Sequence, residues 1–521
     1  MKHTKLTLIL MASLGLTACG GDGDKGDKGE QGINGLNSLI ALETLALGND
    51  ECFFGGSKIM SGLDTNADNI LTETEITNTS TNCDVNPVST SGSPLPHTVM
   101  RSDIDNGALP GSFMEIRNGG FGSDMVADPS DSTRFYALTD RGPNATFTGA
   151  QGTGKKFPTP DYTPRIGLFE LQDNGDVKKI KDILLKRPDG TLITGLPNSS
   201  ALGGTGETPY DADGNIIVED MNLPYDETTN PIKLDDYGLD GEGLVALSDG
   251  TFWISDEYGP HMVHFNAEGI EIGRINAFDN DTRNTYTLPA EFANRRANRG
   301  MEGLTVTPDE TTLVGIMQST MYNPTSAVKV NDIVRIVTIN LTNGNVSQYL
   351  YKQEKTQNSQ SGIVALSETE FVVIERDGKF YNEDTSAMKH LYKIDISNAT
   401  NIEAITTTTT MTQDDSLGLL IDGKTLEEVT LEADGWATLA NAGINTINKT
   451  FLVDLVAETG YPHDKLEGMW LINDNTIGVI NDDDFATWAS GGVLEQKYLD
   501  LGQTVIDSNR LYIIEDIDLT H

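Results

Sequence analysis

Histidine, cysteine and positive charge are all scarce in this chain. Thirty-six Lys and Arg stand against 78 Asp and Glu, a formal charge of −42; such a field repels phosphate backbones and excludes nucleic acid as a partner. Neither a Gly-x-Ser-x-Gly elbow nor a His-Glu-x-x-His motif occurs, which removes the serine-hydrolase and zincin readings. Beyond residue 16 no apolar run approaches the roughly 20 residues of a membrane span, so the rest of the chain is expected to be soluble. The hydrophobic fraction of 37% and aromatic fraction of 7% are nevertheless ordinary, and a packed core can form. At 521 residues that core must belong to several domains or to one large circular architecture.

The N-terminus carries the features of an export signal. Lys2 and Lys5 form a positive region, Leu6 to Leu16 an apolar stretch too short to cross a bilayer, and small residues precede Cys19. Residues 1–18 are therefore expected to be cleaved. Leu16-Thr17-Ala18-Cys19 resembles a bacterial lipobox, which implies lipidation of Cys19 and a membrane partner through the acyl chains. Gly20 after the cysteine resembles outer-membrane sorting, which implies a cell-envelope protein facing the periplasm or exterior. Residues 19–48 follow as anchor and spacer: glycine recurs at every third position from Gly20 to Gly35, but without proline the stretch reads as a flexible charged tether rather than a collagen stem.

With Cys19 assigned to lipid, Cys52 and Cys83 remain as a pair in an oxidising compartment, where a disulfide is the default. They bound a small module, residues 49–85. Inside it Asp64, Asn66, Asp68, Thr72 and Glu75 take positions one, three, five, nine and twelve of an EF-hand-like loop, a spacing that wraps oxygen ligands around calcium. Asn69 replaces the usual glycine at position six; asparagine tolerates the left-handed turn needed there. Residues 86–97, rich in Ser, Thr, Pro and Gly, read as a linker.

From residue 98 to 521 short alternating apolar strands are broken by Asp, Asn and Gly turns. Five hairpin units repeat, opening at Ser123-Asp124, Glu242-Gly243, Glu302-Gly303, Ser361-Gly362 and Glu467-Gly468. Their second strands close at Asp140-Arg141, Asp256-Glu257, Met317-Gln318, Glu375-Arg376 and Asn481-Asp482. Antiparallel strands return the chain to its origin, so the polar ends of each hairpin share one side. Repeated radially, those ends converge at the mouth of an all-β propeller, expected to have six blades of which five are legible. The strand Leu511 to Glu515 is expected to close the ring against the segment around Ser112 to Ile116.

The phrases Asp240-Gly241-Glu242-Gly243-Leu244, Trp253-Ile254-Ser255-Asp256-Glu257-Tyr258-Gly259-Pro260, Asn298-Arg299-Gly300-Met301-Glu302-Gly303-Leu304 and Glu375-Arg376-Asp377 resemble the phytase-like propeller domain, described as having esterase-like activity. So do Glu467-Gly468 and Asn481-Asp482-Asp483-Asp484-Phe485. The resemblance spans the region from about residue 98 onward, and Ser361-Gly362 departs from it by lacking an acid. It implies a hydrolase of esters or phosphoesters.

Convergence would crowd Asp124, Asp140, Glu242, Asp256, Glu257, Glu302, Glu375, Glu467 and Asp482 around one channel. Carboxylates at that density call for bound cations or raised proton affinity, and oxygen donors favour calcium, with magnesium second. Asp124, Glu242, Glu302 and Glu467 are the expected metal ligands; Asp140, Glu242, Asp256, Glu257, Glu302, Glu375, Glu467 and Asp482, with Arg141 and Arg376, the expected catalytic set. Arg141, Arg376 and Arg299 would suit an anionic group of a small substrate by forked hydrogen bonds, and His261 is either an acid–base group or a surface side chain. Gly149 to Lys156 imitates a phosphate-binding loop but carries Lys156 where Ser or Thr is needed, and is set aside as a decoy. The expected function is a monomeric, metal-dependent hydrolase; its alternative is a non-catalytic, calcium-stiffened binding propeller.

Overall fold

A computed structural model describes residues 28, 30 and 35–520. Cys19, the export signal and nearly all of the glycine spacer lie outside the described residues. Among those described, no helix is long and apolar enough to cross a membrane.

Five sheets repeat one plan in which sequential strands neighbour one another. The first blade is Asp124–Asp128, Asp131–Leu138, Arg165–Leu171 and Val177–Leu184; the second is Gly241–Ala246, Phe252–Asp256, Met262–Phe265 and Glu271–Asn276, extended by Asn284–Thr287. Met301–Val306, Thr312–Met317, Ile333–Asn340 and Val346–Lys352 make the third; Ser359–Ala365, Glu370–Arg376, Lys389–Asp395 and Asn448–Asp454 the fourth. The fifth takes Gly468–Asn473, Thr476–Ile480 and Arg510–Ile514 from the C-terminal region and Ser93–Pro94 from well before the first blade.

The ring closes through its first strands. A Cβ on Gly243 would sit 2.5 Å from the Leu304 nitrogen, and one on Gly468 2.7 Å from the Met125 nitrogen, so glycine lets each inner strand touch the next. Gly303 meets Ile363 and Gly362 meets Glu467 in the same way. In the first blade Asp124 stands where the others have this glycine. Its carboxylate accepts from the backbone nitrogens of Leu244 at 2.7 Å and Met469 at 3.4 Å, joining the inner strands on both sides.

Each blade is covered on both faces, which is why its strands are apolar almost throughout rather than strictly alternating. Phe135, Phe169, Trp470 and Ile513 fill the space between the first and fifth blades, with Phe135 and Trp470 ring centres 5.1 Å apart. Val245, Leu304, Val314, Ile336 and Val373 pack across the second, third and fourth. Burying each such side chain contributes roughly 1.5–3 kcal/mol.

The described residues hold five blades rather than six, and their first strands already neighbour one another in a closed cycle. Arg510–Ile514 pairs with Thr476–Ile480 and with Ser93–Pro94. Ser112 to Ile116 is therefore not its partner; Ile116–Arg117 pairs instead with Val99–Arg101. The supposed linker is part of the fold: Val88 and Leu95 are buried, and Asn86 Nδ2 donates to the Ile513 carbonyl at 2.9 Å. A strand so short has no apolar periodicity to betray it; only its pairing does.

The described chain divides into two compact units, one ending at 43 and resuming over 58–81, the other comprising 44–57 and 82–521. Phe53 and Phe54, within the stretch 49–85 expected as a small module, pack with Trp470 in the core of the larger unit. The expected Cys52–Cys83 disulfide is present.

Candidate active site at the mouth of the ring

The turns between first and second strands are short, at 129–130, 247–251, 307–311, 366–369 and 474–475. Antiparallel pairing puts the starts of first strands and the ends of second strands at the opposite end, beside the long segments 139–164, 185–240 and 481–509. There, in the second, third and fourth blades, the ladder skips one residue: the register shifts between Gly241 and Gly243, between Met301 and Gly303, and between Gln360 and Gly362. The skipped residues are Glu242, Glu302 and Ser361. A bulge re-aims the side chain it carries, and here two of the three are buried acids.

Carboxylate oxygens of Asp240, Glu242 and Glu257 lie within 4.8 Å of one another. Burial raises the pKa of Glu242 well above the carboxylate range, helped by the charges of Glu302, Glu257, Asp240 and Glu467. Burial and the neighbouring Glu257 and Glu467 do the same to Glu302, whose Oε2 has no hydrogen-bond partner. Asp240 is pushed up to about 6, burial and Glu257 outweighing Arg141, and burial pushes Glu467 up to about 7 against Lys465 and Arg376. Asp140 is raised by burial, then by Asp482 and Asp240; Asp482 by burial and Asp484.

Cations ring this cluster. Arg141 Nε lies 3.2 Å from Asp240 and its Nη1 3.1 Å from Glu207, which Asn298 also holds at 2.7 Å. Arg376 bonds Glu467 and stands 3.9 Å from Glu302. Lys465 bridges Asp482 at 2.5 Å and Asp484 at 2.7 Å, while Lys497 meets Asp484 at 2.6 Å and Asp464 at 2.9 Å. Against the pull of burial, the two lysines hold Asp484 well below the carboxylate range. Gln318 Nε2 donates to Glu257 at 2.6 Å.

Asp140, Arg141, Glu242, Glu257, Glu302, Arg376, Glu467 and Asp482 lie together at this mouth, and three other residues of the expected set do not. Asp256 is fully buried and accepts from the Asp240 nitrogen at 2.7 Å and the Gly259 nitrogen at 3.1 Å, so it ties the turn that presents its neighbour Glu257. Glu375 faces away from Arg376, as adjacent strand residues must. It accepts from the Glu354 nitrogen at 2.6 Å, Asn358 at 2.8 Å, Tyr351 at 2.8 Å and Lys449 at 2.6 Å. Asp124, expected as a metal ligand, spends its oxygens on the inner-strand nitrogens described above. His261 is not at the surface: it is fully buried, with Nε2 3.2 Å from Asn198 Oδ1. Arg299 donates to Ser359 Oγ at 3.3 Å.

Asp240, Glu207, Lys155, Lys465 and Lys497 also stand at the mouth and are absent from the expected set. Asp240 and Lys465 each precede a motif glutamate by two positions, a recurrent charged neighbour visible in the sequence, although both lie just outside the strands Gly241–Ala246 and Gly468–Asn473. Glu207, Lys155 and Lys497 arrive on excursions with no repeat to mark them. Gly149 to Lys156 is no phosphate loop but the turn and second strand of a hairpin, Ala145–Gly149 with Gly152–Lys156.

In the smaller unit, Asp64 and Glu75 are buried. Asp64 accepts from the nitrogens of Asp68 and Asn69, Asn66 from that of Asp68, and Asp68 from that of Ile70. Asn69 takes φ 62°, the left-handed turn expected of it. Hydrogen bonds from Thr65 and Thr72 pull Glu75 down to about 2.

A family model described as "Phytase-like: Esterase-like activity of phytase" matches residues 116–485, well over half of the chain. The chain belongs to the phytase-like family. A second model, a domain of unknown function (DUF7151), matches residues 37–83. An uncharacterized secreted protein of Arthroderma benhamiae is 30% identical over 251 residues, 39% of this chain and 45% of that protein; the match spans less than half of the relative's length. Among solved structures, the periplasmic gluconolactonase of Pseudomonas aeruginosa is 12% identical with a TM-score of 0.28, over 81% of this chain and 98% of that one. The PQQ-bound aldose sugar dehydrogenase of Streptomyces coelicolor is 9% identical with a TM-score of 0.28, over 81% and 99%. In this phytase-like chain the propeller assignment rests on its own strand order.

Proposed function

We propose that this phytase-like propeller is a metal-dependent hydrolase of phosphoesters or small esters. The observation that carries it is the meeting of Asp240, Glu242 and Glu257 oxygens within 4.8 Å, enlarged by Glu302 and Glu467. Buried like charges at that spacing must hold either shared protons or a cation. The unpartnered Glu302 Oε2 and an all-oxygen donor set fit calcium, or magnesium in second place. A cation there supplies Lewis acidity and an activated water. The chain's own part is to fix the donors on bulged strands, exclude bulk water by burial, and hold anionic groups with the surrounding cations. A raised carboxyl such as Glu467, at about 7, is suited to move a proton near neutral pH.

The remaining features are consistent with an extracytoplasmic, calcium-rich setting. Cys19 as a lipid anchor would place a single propeller at the envelope, tethered to the outer membrane by the glycine spacer. The Asp64–Glu75 loop is offered as a second calcium site, supported by its ligand spacing and by the turn at Asn69. Metal analysis of the intact protein, Glu242→Gln and Asp64→Asn should show one ion lost in each variant. Hydrolysis of aryl esters, lactones, phosphate monoesters or phytate should fall at least 100-fold, about 3 kcal/mol, in Glu242→Gln alone. A metal-replete protein that turns over none of these substrates overturns the enzyme reading. In favour of a binding propeller instead is the pairing of Arg141 and Arg376 with internal acids, which leaves them less free for a substrate.

A further inference from the structure

Beside the carboxylate cluster lies a cavity of about 320 Å3 lined by Lys155, Arg376, Lys465, Asp464, Asp484 and Trp488. Arg376 answers to Glu467, and Lys465 to Asp482 and Asp484. Lys155 has no such partner: its ammonium makes no hydrogen bond or ion pair among the described residues, only longer-range interactions. Burial and the nearby Arg141 disfavour its charge, while Glu207, Asp240 and Asp484 favour it, and each of these acids is already engaged. Glu207 and Asp240 hold Arg141, while Asp484 holds Lys465 and Lys497.

The lysine is rigidly presented. Its strand pairs on one edge with Ala145–Gly149, setting Lys155 opposite Thr146, another cavity residue, and on the other edge with Thr208–Tyr210. Much of its side chain is withdrawn from water, where an uncompensated charge is costly until an anion meets it. Arg376 adds a second unused donor, its buried Nε. Trp488 is 43% exposed at the rim and offers an apolar wall to the uncharged part of a ligand.

We propose that Lys155 and Arg376 seat the oxyanion of a small acidic ester, phosphoryl or carboxylate, in this cavity, turning its ester bond toward the Asp240–Glu242–Glu257 cluster. This rests on the hydrolase reading of the mouth and makes Lys155 its specificity-determining residue. Isothermal titration of the full chain with inorganic phosphate and with acetate, together with Trp488 fluorescence, tests it. At least one probe should bind with one-to-one stoichiometry; which one binds identifies the group. Lys155→Met should weaken that binding about tenfold or more, and Lys155→Arg should largely preserve it. Binding of neither probe, or binding that Lys155→Met leaves intact, overturns the proposal, as does binding lost in Glu242→Gln but not in Lys155→Met. The readout is binding rather than turnover, so a protein that holds phosphate through Lys155 yet hydrolyses nothing sinks the hydrolase reading and leaves the oxyanion site.

Discussion

Adjacent charged residues in this protein do opposite work, and strand geometry decides which. Glu257 faces the mouth while Asp256 beside it ties backbone nitrogens; Arg376 bonds Glu467 while Glu375 holds Lys449 and Tyr351. Glu375→Gln should therefore cost stability rather than catalysis. It would leave the Lys449 ammonium without its buried partner, a loss of about 3–5 kcal/mol measurable by urea unfolding, with turnover per folded molecule unchanged. Lost turnover at unchanged stability would move Glu375 back into the chemistry. The residue types of the site were legible in the motifs, but which of two neighbours faces inward was not, because a register shift of one residue reverses every assignment.

At the scale of the element, the recurring Glu-Gly pair carries two requirements at once. In the second and third blades the glutamate sits on a bulge that re-aims it, and in the second, third and fifth the glycine gives room for the next blade. Gly468→Ala would drive a Cβ to 2.6 Å from Ile480 Cγ2 and 2.7 Å from the Met125 nitrogen, where backbone cannot yield cheaply. We expect a loss of about 1–3 kcal/mol, seen as a lower denaturation midpoint. An unchanged midpoint would mean that the fifth and first blades do not meet there. The repeat made four of these junctions readable from the sequence. It included Ser123-Asp124 but gave no sign that Asp124, standing where the others have glycine, bridges with its carboxylate, or that Ser93–Pro94 completes the last blade.

For the molecule as a whole, the acid-lined mouth should make stability depend on pH and on metal together. Glu467 at about 7, Asp240 at about 6 and Asp483 at about 8 are all raised by burial, so the folded state keeps protons that the unfolded chain has released. Their contribution is complete below the unfolded carboxylate value of about 4 and is lost as pH rises through 6 to 8. In chelator, Tm should fall between pH 5 and pH 8, and calcium should restore more at pH 8 than at pH 5, since at low pH it must displace protons. A flat Tm across that range in chelator would show that the cluster is not buried as described.

The sequence by itself determined the all-β ring, its inner-strand repeat, the Cys52–Cys83 pair and the acidic character of the mouth, because each is written in local spacing: a period of two, a repeated Glu-Gly, a turn residue at a fixed offset. Tertiary structure alone decided the number of blades, the strand that closes the ring, and the cations that balance the acids. Lys155, Glu207, Lys497 and Ser93–Pro94 come from segments far apart in the chain and without periodicity, and only the closure of the ring brings them to their partners.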